Sequence, residues 1–347
     1  MPGAFSTVIR GFWDDEPTLT GTPWSPSLPD ALAGFGTSPG LALTGVFDDL
    51  GRTGRTLRGD YWRAVSDRFA EAYYHQQATW MGQHNVGYIS NPLHDEFGPA
   101  GQLDVSGDIL KDNQWAQVPG TDVVFDQYSQ GSRTMLPRWP ASVAHQNGQQ
   151  QVLLENFGAM GWWITPDFMR SLIGAFAVRG ISLDVYHAMW TDPGNVVYPP
   201  PFQTDNPWWH DAASLTAWTG RVMQIAKGQA RAQTALIDPS SAAATWQHTP
   251  QAGDIDAAFT AANDALENSQ VDFDLLDEGA LAGDPAVRAP ARVQGGALAV
   301  GAQRYRFAVL PQTPTLALAA VHTLADFVGS GGESLSAIVP TIILTEL

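Results

Sequence analysis

The stretch Val152-Leu-Leu-Glu-Asn-Phe-Gly158 carries the strongest indication of the fold. Its run of three apolar residues predicts a strand buried on both faces, which is typical of a parallel sheet covered by helices. The strand ends at Glu155, and an unpaired carboxylate at the end of a buried strand is energetically costly. Glu155 is therefore either neutralised by a cation, with Arg133 and Arg138 as candidates, or retained for chemistry.

Predicted strands and helices alternate on both sides of this stretch. The sequence predicts strands at 7–13, 86–90, 122–125, 152–154 and 181–186. It predicts helices at 60–84, 165–179 and 208–227, and a partly helical segment at 133–145. This alternation indicates an α/β fold in which helices pack against a parallel sheet.

Two long connections interrupt the alternation. Residues 17–59 are rich in Pro and Gly and predict a loop, after which Asp60 is expected to cap the next helix. Residues 91–120 are polar and Gly-rich, too irregular for a single element. A connection of that length is usually functional or disordered.

The predicted strands are five, whereas a closed (β/α)₈ barrel has eight. Acidic residues follow two of these strands, at 14–16 and at 155, and barrel enzymes hold their chemistry at that end of the strands. Either three strands lack a recognisable pattern, or the chain begins inside a TIM-type barrel.

The composition changes after about residue 230, which divides the chain into a barrel part at 1–230 and a smaller part at 231–347. The second part predicts strands at 234–238, 273–276 and 306–310 and helices at 258–266 and 316–328, as in an open parallel α/β sheet. The last apolar run is at 342–344, and we expect the sheet to be incomplete at its C-terminal end.

Charge and composition exclude several classes of protein. The formal net charge is −17, which disfavours both nucleic acid and anionic membrane as partners. The absence of cysteine excludes disulfides, thiolate catalysis and Cys-ligated metals. The first residues show no signal peptide. We therefore expect an extracellular or periplasmic location only if a signal lies upstream, and a cytoplasmic one otherwise.

The residue types that remain suit glycoside hydrolysis, which usually needs two carboxyl groups flanking the scissile bond. Strand alternation predicts Asp14 and Glu16 on one face and Asp15 on the other, although a solvated acidic loop is the alternative. The 13 tryptophans either fill the core or stack on sugar rings. His145 either binds a sugar hydroxyl, as His187 is expected to do, or is a core histidine.

Three stretches together resemble glycoside hydrolase family 106, the α-L-rhamnosidases. They are Phe12-Trp-Asp-Asp-Glu-Pro17, Arg58-Gly-Asp-Tyr-Trp62, and Ser142-Val-Ala-His145 with the continuation Val152–Gly158. The resemblance covers roughly residues 7–230. It implies a (β/α)₈ barrel in which the five predicted strands are numbers four to eight. The last part of the chain resembles the amidotransferase-like (flavodoxin-like) α/β module of some glycosidases, and because it lacks cysteine we expect it to have a structural or assembly role.

The resemblance also implies the site. Glu16 would be the general acid and Glu155 the general base of an inverting α-L-rhamnosidase. The residues expected to contact a carbohydrate substrate are Asp15, His145, Trp162, His187, Trp190 and Trp208. A calcium ion is implied nearby, with Asp14, Asp122 and Asn156 as its candidate ligands. Two alternatives stay open, a retaining glycosidase on the same barrel and a non-catalytic carbohydrate-binding protein or inactive fragment.

Overall fold

A computed structural model describes residues 2–228, 230–336 and 343–345 of the chain. The first part begins with a 3₁₀ turn at Pro2–Ala4. Its strands are β1 (Gly11–Asp15), β2 (Gly87–Asn91), β3 (Val118–Val123), β4 (Leu153–Asn156) and β5 (Leu183–Tyr186). Its helices are α1 (Leu28–Gly34), α2 (Pro39–Phe47), α3 (Gly51–Phe69), a π-helical segment (Ala70–His75), α4 (Gln76–Gln83), α5 (Pro99–Ser106), α6 (Ile109–Asn113), α7 (Arg138–Asn147), α8 (Pro166–Ala177), a 3₁₀ turn (Trp209–Asp211) and α9 (Ala212–Ala226).

The five strands form one parallel sheet in the order β1-β2-β3-β4-β5. Each strand pairs with its neighbours in the sequence, and the sheet curls into part of a barrel. The predicted α/β fold with a partial TIM-type barrel is therefore confirmed. The strand at 7–13 was placed too early and the one at 122–125 too late, since β1 begins at Gly11 and β3 ends at Val123.

The prediction of a loop at 17–59 was wrong, because α1, α2 and the start of α3 lie there. The glycines that suggested a loop instead permit close packing of two helices. A Cβ atom on Gly45 of α2 would lie 2.8 Å from the carbonyl oxygen of Gly54 and 2.5 Å from the Cβ of Leu57, both in α3. Asp60 is not a cap, since it lies inside α3, where its carboxylate accepts a hydrogen bond from Thr37.

The polar connection at 91–120 is ordered rather than irregular. It contains α5 and α6, and Asp108 caps α6 by accepting hydrogen bonds from the backbone amides of Leu110 and Lys111 at 3.0 and 3.2 Å. Such a cap satisfies amide groups that the first helical turn leaves unpaired. Two elements follow the prediction closely, the helix at 165–179 and β4, whereas the helix predicted at 60–84 begins nine residues earlier, at Gly51.

The second part also has the predicted parallel sheet. Its strands are β6 (Thr234–Asp238), β7 (Phe273–Asp277), β8 (Ala291–Val293), β9 (Leu298–Val300), β10 (Gln303–Tyr305), β11 (Phe307–Leu310), β12 (Thr315–Ala317), β13 (Glu333–Ser336) and β14 (Ile343–Thr345). Its helices are α10 (Ser240–Trp246), α11 (Pro250–Asn268), α12 (Glu278–Ala282) and α13 (Leu318–Gly329).

The parallel sheet has the order β13-β11-β6-β7. Its first strand in the sequence, β6, lies between the second, β7, and the third, β11, as in flavodoxin-like folds. The antiparallel strands β8, β9 and β10 were not predicted, because three-residue strands leave almost no periodic pattern. Strand β14 pairs with β12 in parallel. Residue 342, where the last predicted apolar run begins, lies outside the described residues.

Helix α7 joins the two parts through a shared core. Trp139 stacks on Phe259 of α11, with ring centroids 5.6 Å apart, and both side chains are fully buried. Arg138 donates to the carboxylate of Asp272 and to the carbonyl oxygen of Phe273. In the described residues no helix is long and apolar enough to cross a membrane.

Candidate active site

The carboxyl ends of the five strands form the edge at which the predicted catalytic residues lie. Glu155 of β4 is directly opposite Asp122 of β3, and Asp15 of β1 is directly opposite Asn91 of β2. Leu154, next to Glu155, packs in the core with Leu172 of α8. Because side chains alternate along a strand, Glu155 and Asp122 point away from the helices and into the barrel.

Glu16 joins this group by a departure from strand geometry. Its φ is +48°, in the left-handed region, while its amide still bonds to the carbonyl oxygen of Asn91 at 3.1 Å. The backbone therefore turns after Asp15, and the side chain of Glu16 comes within hydrogen-bonding reach of Asp122. The prediction from alternation, which put Glu16 on the face of Asp14, was wrong because alternation ends where extended geometry ends.

Glu155 has a perturbed pKa. The side chain is 6% exposed, and burial, together with the charge and hydrogen-bonding contact of Asp15, raises its pKa to about 8. The alternative partners for Glu155, Arg133 and Arg138, both bond elsewhere. Arg133 donates to Asn268 at 2.8 Å, and Arg138 to Asp272 at 3.0 Å.

Asp122 shows the same effect more strongly. Burial, the nearby Asp95 and the contact with Glu16 raise the pKa of Asp122 to about 10. Its Oδ1 atom is buried and has no hydrogen-bond partner. The inner face therefore holds two carboxyl–carboxyl contacts, Glu16 with Asp122 and Glu155 with Asp15, and this crowding contributes to the raised pKa values of Asp122 and Glu155.

Asp14 and Asn156 lie on the opposite, helix-facing side of the sheet. Asp14 accepts hydrogen bonds from Tyr73, Gln77 and Tyr88 at 2.9–3.1 Å. Asn156 donates to Asp184 at 3.2 Å. The structure thus separates both from Asp122, and these three predicted calcium ligands do not form one site.

An aromatic group lies just past the ends of β3 and β5, where the backbone amide of His187 bonds to the carbonyl oxygen of Asn156. The rings of His187 and Trp190, both predicted to contact substrate, lie 6.1 Å apart. The ring of Tyr198 lies at about the same distance from each of them. Tyr198 also packs edge-on against the ring of Phe125. Phe125 and Tyr198 are about half exposed. The Nδ1 atom of His187 and the Nε1 atom of Trp190 are buried without a hydrogen-bond partner. We call these four residues the aromatic wall.

The other predicted contact residues are placed differently. His145 lies on α7, where its Nδ1 bonds to Asp274 of the second part at 2.7 Å, so the structure does not bring it to the carboxyl edge. Trp208 packs in the core and donates to the carbonyl oxygen of Ile164 at 3.2 Å. Trp162 follows β4 and is 56% exposed, open to solvent rather than packed in the core.

Backbone strain concentrates at this edge. Four non-glycine residues just past the ends of β1, β3 and β4 have positive φ: Glu16, Phe125, Phe157 and Ala159. Such conformations cost of order 1–3 kcal/mol each and cluster at sites that need a particular side-chain direction. The left-handed turn at Glu16 brings its side chain to Asp122. The one at Phe125 places its ring against Tyr198 in the aromatic wall.

Sequence reasoning missed Asn91, Phe125 and Tyr198. Asn91 links Trp13 to Asp15, since it accepts from the Trp13 indole at 2.6 Å and donates to the Asp15 carboxylate at 3.3 Å. Asn91 lies at the end of β2, and Phe125 lies just past the end of β3. The same kind of position, at the end of a strand, indicated Glu155 as a candidate in the sequence. Tyr198 lies in a Pro-rich loop, and no local pattern predicts its direction.

Comparison with known proteins supports the fold. No family model matches the chain. Over 187 residues the chain is 22% identical to a candidate beta-glucuronidase of Formosa agariphila, a match covering 52% of this chain and 15% of that protein. The rhamnosidase of Novosphingobium sp. PP1Y has a similar structure, with a TM-score of 0.72 and 18% identity over 96% of this chain and 31% of that one.

A beta-galactosidase from Rahnella sp. R3 is also similar, with a TM-score of 0.54 and 13% identity over 86% of this chain and 42% of that one. The chain spans less than half of each of these three proteins. At these identities the likeness establishes the fold, a partial barrel of the kind found in glycosidases followed by a further domain.

Proposed function

We propose that this chain carries the catalytic carboxyl groups of a glycoside hydrolase. The observation that carries the proposal is the convergence of Glu16 and Glu155 on the inner face of the curled sheet, each in contact with a second carboxyl group. Glycosidases use such a pair, one group to protonate the leaving oxygen and one to activate water or attack the sugar. The similar barrels of the rhamnosidase and the beta-galactosidase support this function.

The finer proposal is inverting hydrolysis of a terminal α-L-rhamnoside. Glu16 gives its proton to the glycosidic oxygen as the bond to the anomeric carbon breaks. Glu155 takes a proton from water as the water oxygen bonds to that carbon from the opposite side. The resemblance of Phe12–Pro17 and Val152–Gly158 to the α-L-rhamnosidases supports these roles.

Calcium remains a prediction and has no part in these steps. In the described residues no three acidic or histidine side chains form a group suited to a metal ion. The separation of Asp14 and Asn156 from Asp122 argues against the ligand set that the resemblance implies.

The direct test is hydrolysis of an aryl α-L-rhamnoside by the purified protein, followed by proton NMR. We expect β-L-rhamnose as the first product. First release of α-L-rhamnose would show a retaining mechanism. Binding of rhamnosides without turnover would favour the carbohydrate-binding alternative.

The raised pKa of Glu155 predicts an unusual pH profile. A general base acts only when ionised, so kcat/KM should rise with pH through about 8, the pKa of Glu155. Asp15→Asn removes a neighbouring charge that raises this pKa, and should therefore move the rising limb to lower pH. Asp126→Asn, at an exposed site, should leave the limb in place. If kcat/KM instead fell as the pH rose through 8, Glu155 would be the acid.

The aromatic wall predicts a loss of binding when a ring is removed. Phe125→Ala should raise KM by about 3–10-fold with a small change in kcat, because losing the apolar contact of a half-exposed ring with a sugar costs about 1 kcal/mol. Phe125→Tyr should retain most of the affinity. Phe47→Ala, which removes an exposed ring on α2, is the matched control. Equal KM values for the Phe125 and Phe47 variants would place the sugar elsewhere.

A further inference from the structure

Two adjacent tryptophans stand open to solvent in the loop that follows β4. Trp162 is 56% exposed and Trp163 is 62% exposed. The steps of acid and base catalysis proposed above do not involve either residue. Exposed apolar surface that is concentrated beside a candidate site is typical of a surface that binds a ligand. We call Trp162 and Trp163 the outer tryptophans.

The loop that carries the outer tryptophans is bonded to the aromatic wall. The amide of Gly161, just before them, donates to the carbonyl oxygen of Pro199 at 2.8 Å, and Pro199 follows Tyr198 of the wall. The amide of Phe125, also in the wall, donates to the carbonyl oxygen of Gly158 at 2.8 Å. The outer tryptophans therefore lie next to the surface that we expect to contact the sugar.

The ring of Trp163 is supported on two sides although most of it is exposed. The ring of Phe168 in α8 packs against it, with centroids 4.9 Å apart and an interplanar angle of 64°. The φ of Gly161 is +93°, and a Cβ atom there would lie 3.0 Å from Cδ1 of Trp163, so glycine permits the indole to lie against the backbone. A ring that is already positioned loses little conformational entropy when a ligand binds.

The loops around these rings carry no lysine or arginine. Residues 124–132, 157–165 and 187–208 contain neither, but they include Asp126, Asp192 and Asp205. A ligand with carboxylate or sulfate groups would be repelled by these acids and would find no lysine or arginine in the loops to pair with. Charge therefore favours an uncharged ligand. The flat apolar rings favour a sugar, whose C–H faces can stack on them.

We propose that the outer tryptophans bind the part of an uncharged glycan that lies beyond the bond to be cleaved. This inference rests on the glycoside hydrolase function proposed above. The terminal sugar contacts the aromatic wall, and the sugars that follow it stack on the outer tryptophans. Because these rings are open to solvent, the glycan can continue past them. The substrate class is therefore a neutral oligosaccharide or polysaccharide rather than a small glycoside or an acidic glycan.

The test is native electrophoresis of the protein in gels that contain xyloglucan, galactomannan or polygalacturonate. We expect at least one of the two neutral polysaccharides to retard the protein, and the acidic polygalacturonate not to. Trp163→Ala should weaken the binding about fivefold, as expected when a half-exposed apolar ring is lost, and Trp163→Phe should retain most of it. Trp162→Ala should act like Trp163→Ala, and it serves as a second variant if Trp163→Ala fails to fold. Trp80→Ala, which removes an exposed ring on α4, is the matched control and should be retarded like the wild type.

Three results would overturn the proposal: no retardation by either neutral polysaccharide, stronger retardation by polygalacturonate, or equal retardation of the wild type and both tryptophan variants. Hydrolysis of an aryl α-L-rhamnoside separates this proposal from the proposed function. A protein that hydrolyses the rhamnoside but is not retarded would retain the hydrolase function and lose the glycan-binding surface. A protein that is retarded but hydrolyses nothing would retain the surface and lose the catalytic role.

Discussion

Replacing Glu155 with Gln should lower kcat by about 10²–10⁴-fold, the contribution expected of a general base. Glutamine keeps the shape of the side chain but cannot accept the proton of water. The fold should persist, because the substitution removes a buried carboxyl that contacts Asp15. We expect Tm to stay equal or to rise, as measured by circular dichroism.

The matched control is Glu71→Gln, which changes an exposed carboxyl of the π-helical segment and should leave kcat unchanged. A Glu155→Gln protein that keeps its Tm and retains more than a third of wild-type kcat would exclude Glu155 as the base. A parallel fall in Tm and activity would instead point to a structural role.

Replacing Glu16 with Gln should have an effect that depends on the leaving group. For an alkyl rhamnoside the departing alkoxide needs a proton, and kcat/KM should fall by about 10²–10⁴-fold. For a 2,4-dinitrophenyl rhamnoside the departing phenolate is stable without a proton, and the loss should be less than about tenfold. The ratio of the two losses measures the acid role independently of folding.

Asp122 offers a contrast to Glu16, since it touches Glu16 but is not assigned to the sugar. Asp122→Asn should reduce activity on both leaving groups alike, because it changes the position of Glu16 without removing its proton. If Glu16→Gln also showed equal losses on both substrates, the acid would have to be another group.

The sequence predicted those parts of the fold that depend on local patterns. Buried strands such as β4 and β6 have continuous apolar runs, and α8 has a Thr-Pro start and a Gly after its end. The pattern failed at α2 and α3, where glycines serve helix packing rather than chain reversal. Composition cannot distinguish these two uses of glycine, because the difference lies in a neighbouring helix.

The site shows the same division. Glu155 was predictable, since its environment follows from its own strand. Glu16 and Phe125 each adopt a left-handed backbone conformation, and this sets the direction of their side chains. No periodic pattern in the sequence reveals it. His145 was placed at the sugar from its sequence motif, yet its partner Asp274 lies in the other domain, 129 residues away. Contacts at such separation are set by how domains dock.

The shared core around α7 has a consequence for the history of such proteins. Trp139 and Arg138 owe part of their burial to the α/β domain, in which Phe259 stacks on Trp139 and Asp272 and Phe273 bond to Arg138. Recombination near residue 230 would therefore expose Trp139 on the barrel fragment and the start of β7 on the α/β fragment. We expect the barrel and the α/β module to be inherited as one block, and a cloning boundary at that point to yield insoluble fragments.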